Sequence, residues 1–313
     1  MTAQPSAATN TKVGARARHA RRPSWPLAAL RTARPRQWPK NLLVFAAPLA
    51  APTLGRPNWP VYALAAAAAF GCASVAVYFI NDVADAERDR RHPRKRYRPV
   101  AAGDLPKRHA VLLGAACALV GLAVGPLISE PLLTACVGGY LTLSFLYSWV
   151  LKHIPVVEVL FVASGFLLRV LGGAAATQVP PSGWFLLVCS LGAVGVAIAK
   201  RYTELTSLGA EAAKHRPVMR FYRPAALRLS QVAVGAVMIA AYLAWAAGEH
   251  SAARPWHIAS ALPLAVALVR FGFLTGRRTT APVEDLLMRD IPMLACELAW
   301  LALFVAGLGG VGT

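Results

Sequence analysis

An uncharged stretch that ends in a cluster of acidic residues indicates the class of this protein. Residues 61–80 are VYALAAAAAFGCASVAVYFI, and residues 81–89, which follow directly, are NDVADAERD. A helix needs about 20 apolar residues to cross the hydrocarbon core of a bilayer. The sequence therefore predicts a membrane-spanning helix that carries several carboxylates at one end.

The composition of the whole chain agrees with a membrane protein. Of its 313 residues, 57% are hydrophobic and only 15% are charged, with a mean hydropathy of +0.48, which is not typical of soluble domains. A net charge of +19 would suit nucleic acid, but the long apolar runs between the basic clusters exclude a nucleic-acid-binding domain. All five cysteines lie in apolar runs, and this predicts neither disulfides nor cysteine metal ligands.

Nine windows are apolar enough to be considered as membrane spans. Several of them are rich in glycine and alanine, which favours close packing of helices in lipid. The sequence thus predicts an all-α integral membrane protein, a compact bundle of nine transmembrane helices. The windows are residues 41–54, 61–80, 110–128, 131–151, 154–177, 183–199, 229–248, 256–274 and 291–311.

The basic residues predict how the bundle lies in the inner (cytoplasmic) membrane. With these nine spans, 30 of the 33 lysines and arginines fall on one side. Because cytoplasmic loops carry the excess of basic residues, we expect the amino terminus inside the cell and the carboxyl terminus outside. Residues 1–33 lack hydrophobic periodicity and are predicted to be a disordered basic arm, which leaves residues 34–313 as one transmembrane domain.

Three carboxylates of the acidic cluster have a regular spacing. Asp82, Asp85 and Asp89 stand at positions i, i+3 and i+7, which puts them on one face if the helix continues through them. Hard oxygen ligands of this kind suit Mg²⁺, with Mn²⁺ as an alternative, and Mg²⁺ also binds substrate phosphates. The other interpretation is a solvated helix end in which the acids pair with Arg88 and Arg90.

A dense basic segment, residues 92–103 (HPRKRYRPVAAG), follows the acids. Together, the two segments predict a polyanionic ligand. A metal ion would join the carboxylates to a diphosphate, while Lys95, Arg96 and Arg98 contact its remaining oxygens. Without any ligand, the same charges would be explained by a basic cytoplasmic loop.

The motif N-D-x-x-D-x-x-x-D at a span end, followed by H-P-x-K-x-x-R-P-x-A-x-G, resembles the first aspartate-rich motif of the UbiA superfamily of intramembrane prenyltransferases. The resemblance extends to residues 34–41 (RPRQWPKN) and 147–152 (YSWVLK), and covers the chain from about residue 34 to its end. It implies a nine-helix bundle with a cytoplasmic cap, at which a polyprenyl (di)phosphate binds with Mg²⁺. The metal ligands that it implies are Asn81, Asp82, Asp85 and Asp89.

One departure from the superfamily pattern concerns the second acidic motif. Aromatic prenyltransferases carry a second D-x-x-x-D after the sixth span, whereas residues 200–204 here are KRYTE. With residues 151–158, 166–169 and 284–290, this closely resembles the decaprenyl-phosphate phosphoribosyltransferase branch. That branch moves 5-phosphoribose from phosphoribosyl diphosphate (PRPP) to a polyprenyl phosphate and releases diphosphate, for the arabinan of the cell wall (arabinogalactan).

Such a reaction brings more phosphate groups together than prenyl transfer does, so more cations are expected around the site. Lys40, Lys152, Lys200 and Arg201 are predicted at cytoplasmic span ends, where they would bind substrate together with Tyr202 and Glu204; the alternative is again a basic cytoplasmic surface. Arg169 lies deep in a predicted span, and such a charge is either functional or bound to backbone carbonyls. Glu158 lies about 20 degrees from it around the helix and would line the same cavity.

Two other functions stay open at this point. The first keeps the fold but uses a prenyl diphosphate donor and a small acceptor, and the missing second acidic motif argues against it. The second is a transporter for an anionic solute. Inverted repeats, in which the two halves of the chain resemble each other, would support it. The sequence shows no such repeats, and it leaves open whether the protein forms a homo-oligomer.

Overall fold

The computed structural model of the chain describes residues 24–51, 56–92, 95–149, 154–212, 216–248, 252–277 and 283–309. Within these ranges the regular structure is helical, and eight helices are long and apolar enough to cross a membrane. In chain order they are α1 (Trp59–Ala84), α2 (Lys107–Leu127), α3 (Pro131–Trp149), α4 (Val157–Thr177), α5 (Gly183–Leu208), α6 (Pro224–Gly248), α7 (Arg254–Gly276) and α8 (Ile291–Gly309).

Each long helix coincides with one of the predicted windows, which confirms an all-α, multi-pass membrane fold. The largest difference is in α5, which was predicted to end at residue 199 but continues to Leu208. The prediction stopped at the first charged residue, Lys200. The helix continues because Arg201 and Glu204, three residues apart, pair with each other along its surface.

The chain also passes from one end of the bundle to the other before α1 begins. Arg34 pairs with Asp82 at the carboxyl end of α1, which we call the acidic end of the bundle. At the opposite end, the backbone N–H of Arg56 donates to the carbonyl of Thr177, the last residue of α4. The residues between Arg34 and Arg56 therefore run the length of the bundle.

This crossing segment, residues 35–50, is not the α-helix predicted for residues 41–54. Pro35–Phe45 forms a 3-10 helix and Ala46–Ala50 a short α-helix, while residues 52–55 lie outside the described residues. Pro39 lies inside the 3-10 helix and removes one of the N–H donors on which an α-helix depends. A 3-10 helix rises about 2.0 Å per residue, so the segment still extends over about 30 Å. Nine membrane crossings stay a prediction.

The crossing segment packs closely against α4 because a glycine leaves room for it. A Cβ atom at Gly173 would overlap the backbone carbonyl of Val44, whose side chain is fully buried. A Cβ atom at Gly172 would instead meet the ring of Phe70 in α1. The backbones of the two segments thus approach to a distance that only glycine permits.

Short helices cover the acidic end. Trp25–Thr32 packs beside α1 and beside Pro99–Ala102, while Ala86–Arg90 follows α1 directly. Ala28 and Val100 are buried in one apolar cluster with residues of α1 and α2. Residues 1–23 of the predicted disordered arm lie outside the described residues, but Trp25–Thr32 also belongs to that arm and is helical, with Ala28 fully buried in this cluster.

Replacing Gly173 with alanine should destabilise the bundle by about 1–3 kcal/mol, because the new Cβ atom has to displace backbone and not a mobile side chain. Thermal unfolding of the purified protein in detergent, followed by circular dichroism, measures the change. Gly183→Ala is the matched control, since a Cβ atom at Gly183 has no neighbour within 4 Å. Equal melting temperatures for the two variants would contradict the described packing of the crossing segment on α4.

Candidate active site

Two carboxylates of the acidic cluster converge on one arginine. The Nη1 atom of Arg98 donates to Oδ1 of Asp82 at 3.2 Å and to Oδ2 of Asp89 at 2.8 Å. The two carboxylate side chains are only 2% and 3% exposed. Because like charges this close repel each other strongly when buried, the shared guanidinium compensates both of them.

The geometry that joins these carboxylates differs from the prediction. α1 ends just before Asp85, and a separate short helix, Ala86–Arg90, carries Asp89. The expectation of one continuous helix with three carboxylates on a single face is therefore wrong. Asp82 and Asp89 still lie together, because the backbone N–H groups of Asp85 and Asp89 donate to the carbonyls of Asn81 and Asp85 across the break. The Asp85 side chain, 34% exposed, pairs instead with Arg88 at 3.5 Å. Aspartate favours such breaks because its side chain competes for backbone hydrogen bonds.

The other charged side chains of this region face solvent. Glu87 pairs with Arg90 at 2.9 Å and with Lys107 at 3.2 Å. The hydrogen bond from Lys107 and the neighbouring Arg90 hold the pKa of the Glu87 carboxyl below its ordinary value. Lys95 and Arg96, two of the predicted phosphate contacts, are exposed at the acidic end, where a ligand approaching from solvent would meet them.

Arg34 also belongs to this site, although the sequence analysis did not single it out. Its Nη2 atom donates to Oδ1 of Asp82 at 2.5 Å, and its guanidinium lies 5.0 Å from the ring centroid of Tyr78. Its φ of 52° is in the left-handed region, which costs a non-glycine residue conformational energy. The two partners are 48 positions apart, so no local spacing reveals the pair. The resemblance of residues 34–41 to the superfamily was the available signal.

The donor set of this site fits a hard divalent cation. Asp82 and Asp89 offer buried carboxylate oxygens that both contact one nitrogen atom, and Asn81, which precedes Asp82 in the chain, carries an amide oxygen. Within the described residues, no three acidic, histidine or cysteine side chains meet at one point. Mg²⁺ would therefore complete its coordination with water and substrate oxygens, as it usually does in proteins.

A cavity of about 180 Å³ lies next to the acidic cluster, inside the bundle. Its wall is formed by the crossing segment, α1, α3, α4 and α5. Three cationic side chains line it, those of Lys40, Arg169 and Lys200, together with Asn81. The other lining residues are Val77, Tyr140, Leu143, Ser144, Tyr147, Ser148, Phe161, Val162, Gly165 and Phe166.

Arg169 is held at the base of this cavity by uncharged groups. Its Nε donates to Oδ1 of Asn41 at 2.9 Å, and its Nη2 donates to the hydroxyl of Ser74 at 3.0 Å. Its Nη1 donates to the carbonyl of Gly165 at 2.6 Å, and its guanidinium lies 4.5 Å from the ring centroid of Tyr140. Only 5% of the residue is exposed. The salt bridges of the described residues include none to Arg169.

Arg201 takes part in a separate, buried ionic cluster. Its Nε lies 3.0 Å from Oε1 of Glu158, and its Nη1 donates to Oε2 of Glu204 at 2.6 Å. Arg216 contacts Oε2 of Glu158 at 2.6 Å, and both arginines donate to the hydroxyl of Tyr147. Burial alone lowers the pKa of the Arg216 guanidinium, but its interactions with Tyr147 and the two glutamates raise that pKa above its ordinary value. The arginine charges are thus compensated without a ligand.

The predicted substrate contacts near α5 therefore lie in different places. Lys200 lines the cavity, with Nζ 5.5 Å from the ring centroid of Phe166. Tyr202 belongs to an apolar cluster on another side of α5, where the guanidinium of Arg228 lies 5.9 Å from its ring centroid. Lys152 lies outside the described residues. Glu158, expected to share a cavity with Arg169, pairs with the arginines of the ionic cluster and is not among the lining residues.

Comparison with known proteins agrees with this arrangement. The model of the UbiA prenyltransferase family matches residues 41–289. The chain belongs to the UbiA prenyltransferase family. Two curated relatives named decaprenyl-phosphate phosphoribosyltransferase, from Corynebacterium glutamicum and Mycobacterium tuberculosis, are 34% and 35% identical to it. The alignments cover 87% and 86% of this chain and 83% and 90% of the relatives. The predicted superfamily is confirmed, and these relatives come from the predicted branch.

A solved structure of a UbiA homologue has the same fold. The homologue from Archaeoglobus fulgidus, determined with GPP and Mg²⁺ bound, has a TM-score of 0.66 and 19% sequence identity. The match covers 90% of this chain and 99% of that chain. The same homologue was also solved with Cd²⁺. The described bundle is thus the helical bundle of UbiA proteins.

Glu158→Gln should strongly destabilise the protein, by about 3–5 kcal/mol, because it removes a fully buried carboxylate that pairs with the buried Arg201 and the partly buried Arg216. The chemical change is the same in Glu87→Gln, which serves as the control, but the Glu87 side chain is 67% exposed and its loss should change stability little. Melting temperatures in detergent compare the two variants. A Glu158→Gln protein as stable as the control would contradict the ionic cluster.

Proposed function

We propose that this protein transfers the 5-phosphoribosyl group of PRPP to decaprenyl phosphate, or to a similar long polyprenyl phosphate, and releases diphosphate. The lipid-linked product would serve the synthesis of cell-wall arabinan, the arabinose polymer of arabinogalactan. The curated relatives named for this activity support the proposal, since they align with more than four-fifths of the chain.

The observation that carries the proposal is the unequal distribution of charge at the acidic end. Asp82 and Asp89 are buried at this end, where both contact Arg98 and Asp82 also pairs with Arg34. Where a prenyl diphosphate enzyme is expected to have a second acidic motif, α5 carries Lys200 and Arg201, and its Glu204 pairs with Arg201. Such a site suits one metal-bound diphosphate together with further phosphate groups that cations bind directly.

The residues of the acidic cluster would have distinct tasks. Asp82, Asp89 and Asn81 would hold Mg²⁺ or Mn²⁺, and Asp85 would join them by leaving Arg88. When bound, the metal supplies positive charge to the leaving diphosphate. Arg34 and Arg98 compensate the carboxylates in the described structure. With a metal held by those carboxylates, the guanidinium groups of Arg34 and Arg98 would be available to bind diphosphate oxygens.

The reaction balances without a protein nucleophile. An oxygen of the lipid phosphate forms a bond to C1 of the ribose while the bond from C1 to the diphosphate oxygen breaks, and the electron pair leaves with the diphosphate. The acceptor phosphate is already ionised near neutral pH, so no general base is required. Since C1 passes through an oxocarbenium-like state, the residues accelerate the reaction by positioning both substrates and by neutralising the leaving group.

We assign the acidic end to the cytoplasmic side of the inner membrane. The loops at this end contain nearly all of the basic residues of the chain, which is the pattern of cytoplasmic loops. PRPP is soluble and highly charged, so its site must face an aqueous compartment. The helix Trp25–Thr32, which packs at the same end as Arg34, would then be cytoplasmic, and so would the amino terminus; residues 34–313 would form the transferase domain.

The second candidate reaction uses a prenyl diphosphate donor and a small acceptor. It is favoured by the solved UbiA homologues with GPP or DMAPP bound, which share this fold. Both reactions require metal at the first acidic motif, so chelation alone does not separate them. The two reactions are distinguished by the donor that the protein consumes, PRPP or a prenyl diphosphate.

We expect purified protein with Mg²⁺, labelled PRPP and a panel of polyprenyl phosphates to form lipid-extractable label. A chelator should abolish this activity, and Mg²⁺ or Mn²⁺ should restore it better than Zn²⁺, because the metal ligands are hard oxygens. A parallel assay supplies geranyl diphosphate and aromatic acceptors. Consumption of the prenyl diphosphate with PRPP left intact would establish the second candidate instead.

Asp82→Asn and Asp89→Asn should each lower phosphoribosyl transfer by about 10² or more, because each removes charge that holds the metal against the leaving diphosphate. Asp104→Asn, in the loop after Pro99–Ala102, is the matched control and should keep the activity. Melting temperatures check that all three variants are folded. Near wild-type turnover of both site variants at saturating Mg²⁺ would show that the metal binds elsewhere.

A further inference from the structure

The helix Trp25–Thr32 packs on the bundle with one side only. Ala28 is fully buried there, in the apolar cluster with residues of α1 and α2. Leu27 and Leu30 point to the other side of the helix and are 42% and 51% exposed, and Trp25 in its first turn is 63% exposed. We call these three side chains the apolar patch. Large apolar side chains that are exposed on one short helix indicate a surface that binds a partner or lipid.

This helix lies at the depth of the lipid headgroups. Ala28 shares its cluster with Phe79, from the last two turns of α1, and Arg34, two residues after the helix, reaches Asp82. The 26 residues of α1 extend over about 39 Å, whereas the hydrocarbon core of a bilayer is about 30 Å thick. The uncharged stretch of α1 ends just before Asp82, so its last turns lie at the headgroups. The outward side of the neighbouring helix therefore faces this layer.

The charges around the apolar patch suit an anionic surface. Residues 1–40 contain nine lysines and arginines, and the first acidic residue of the chain is Asp82. Arg31 on the helix and Arg36 just after it are exposed. Arg108, next to the α2 residues of the same cluster, is exposed as well. The cytoplasmic leaflet has a negative surface potential that attracts basic segments of this kind.

We propose that the helix Trp25–Thr32 is an interfacial anchor that binds the anionic lipids of the cytoplasmic leaflet. The apolar patch enters the boundary between headgroups and acyl chains, while Arg31 and Arg36 contact lipid phosphates. Tryptophan, leucine and arginine in these places are typical of helices that lie in the membrane interface. The inference rests on the assignment of the acidic end to the cytoplasmic side and not on the identity of the substrates.

Trp38 extends the same surface beyond the helix. Its indole Nε1 donates to the carbonyl of Ala33 at 3.0 Å, and 45% of the residue is exposed. This hydrogen bond satisfies the polar atom of the ring while its apolar part can contact lipid. Arg34 lies between these two residues and pairs with Asp82. The anchor therefore limits the movement of the backbone that carries Arg34 to the acidic cluster.

The test is hydrogen–deuterium exchange of the full chain in nanodiscs, without substrates. Exchange is read by mass spectrometry over the peptide that contains residues 25–33. One set of nanodiscs contains phosphatidylcholine alone, and the other contains phosphatidylcholine mixed with phosphatidylglycerol. The two sets differ in the charge of the lipid, so the ratio of their exchange rates reports the electrostatic part of the anchoring.

Three variants separate the contributions of the apolar patch and of the charges. The patch variant combines Leu27→Ser with Leu30→Ser, and the charge variant combines Arg31→Gln with Arg36→Gln. The matched control combines Arg220→Gln with Phe221→Ser. These two residues are an exposed cation and a 57% exposed aromatic ring in the loop that joins α5 to α6 at the same end of the bundle.

We expect the wild-type peptide to exchange about tenfold or more slowly with phosphatidylglycerol present, because its exposed cations are attracted to the anionic surface. The charge variant should lose most of this difference, and high salt should reduce it in the wild type. The patch variant should exchange faster in both lipids, and the control should match the wild type. If the patch variant does not form the helix, the charge variant still decides, because its two side chains are exposed and the buried side of the helix is unchanged.

Three results would overturn the proposal. The first is equal exchange of the wild-type peptide in the two lipids; slow exchange in both would show that a second copy of the chain or uncharged lipid covers the patch. The second is an unchanged difference in the charge variant. The third is an equal loss in the control. Because no substrate is present, these outcomes do not depend on whether the protein consumes PRPP.

Discussion

A charge buried in this bundle must find its counter-charge inside the protein or on a ligand, because lipid cannot supply it. This constraint accounts for the main charged contacts of the described structure. Arg98 joins Asp82 and Asp89, and the cluster around Glu158 pairs its two arginines internally. Arg169 and Arg228 are exceptions, since their described hydrogen bonds go to uncharged groups. The compensated groups stabilise the fold, and the guanidinium groups of Arg169 and Arg228 are oriented by amide, hydroxyl and carbonyl oxygens instead.

The same constraint links the state of the metal site to the positions of the arginines. At the proposed metal site, Arg98 and a divalent cation would both compensate Asp82 and Asp89, so they would compete for the same oxygens. Arg34 adds a connection to the helix Trp25–Thr32, which precedes it in the chain and packs on the acidic end. Metal binding that releases Arg34 from Asp82 would therefore loosen the attachment of this helix to the bundle.

The long helices were predictable because hydropathy records burial in lipid directly, and each of α1 to α8 matches a predicted window. The acidic motif was predictable as a site, because its residues are close in sequence. Its geometry was not, since Arg98 joins Asp82 and Asp89 from a separate segment that follows them in the chain. Arg34, Asn41 and Ser74 were missed for a related reason. Their contacts join residues far apart in the chain, and a single polar residue in or near an apolar run has no periodicity to reveal it.

The 3-10 conformation of the crossing segment has a consequence for how the chain tolerates insertions and deletions. Asn41 accepts a hydrogen bond from Arg169, and Val44 packs on Gly173. A step of three residues along the crossing segment therefore covers the same distance as a step of four residues along α4. Three residues of a 3-10 helix rise about 6 Å, and so do four residues of an α-helix. The two helices thus share a common interval although their pitches differ. Adding or removing one residue between Asn41 and Val44 would change the length of the crossing segment over this interval but not that of α4. With Val44 packed on Gly173, the amide of Asn41 would then move away from the guanidinium of Arg169, which it orients.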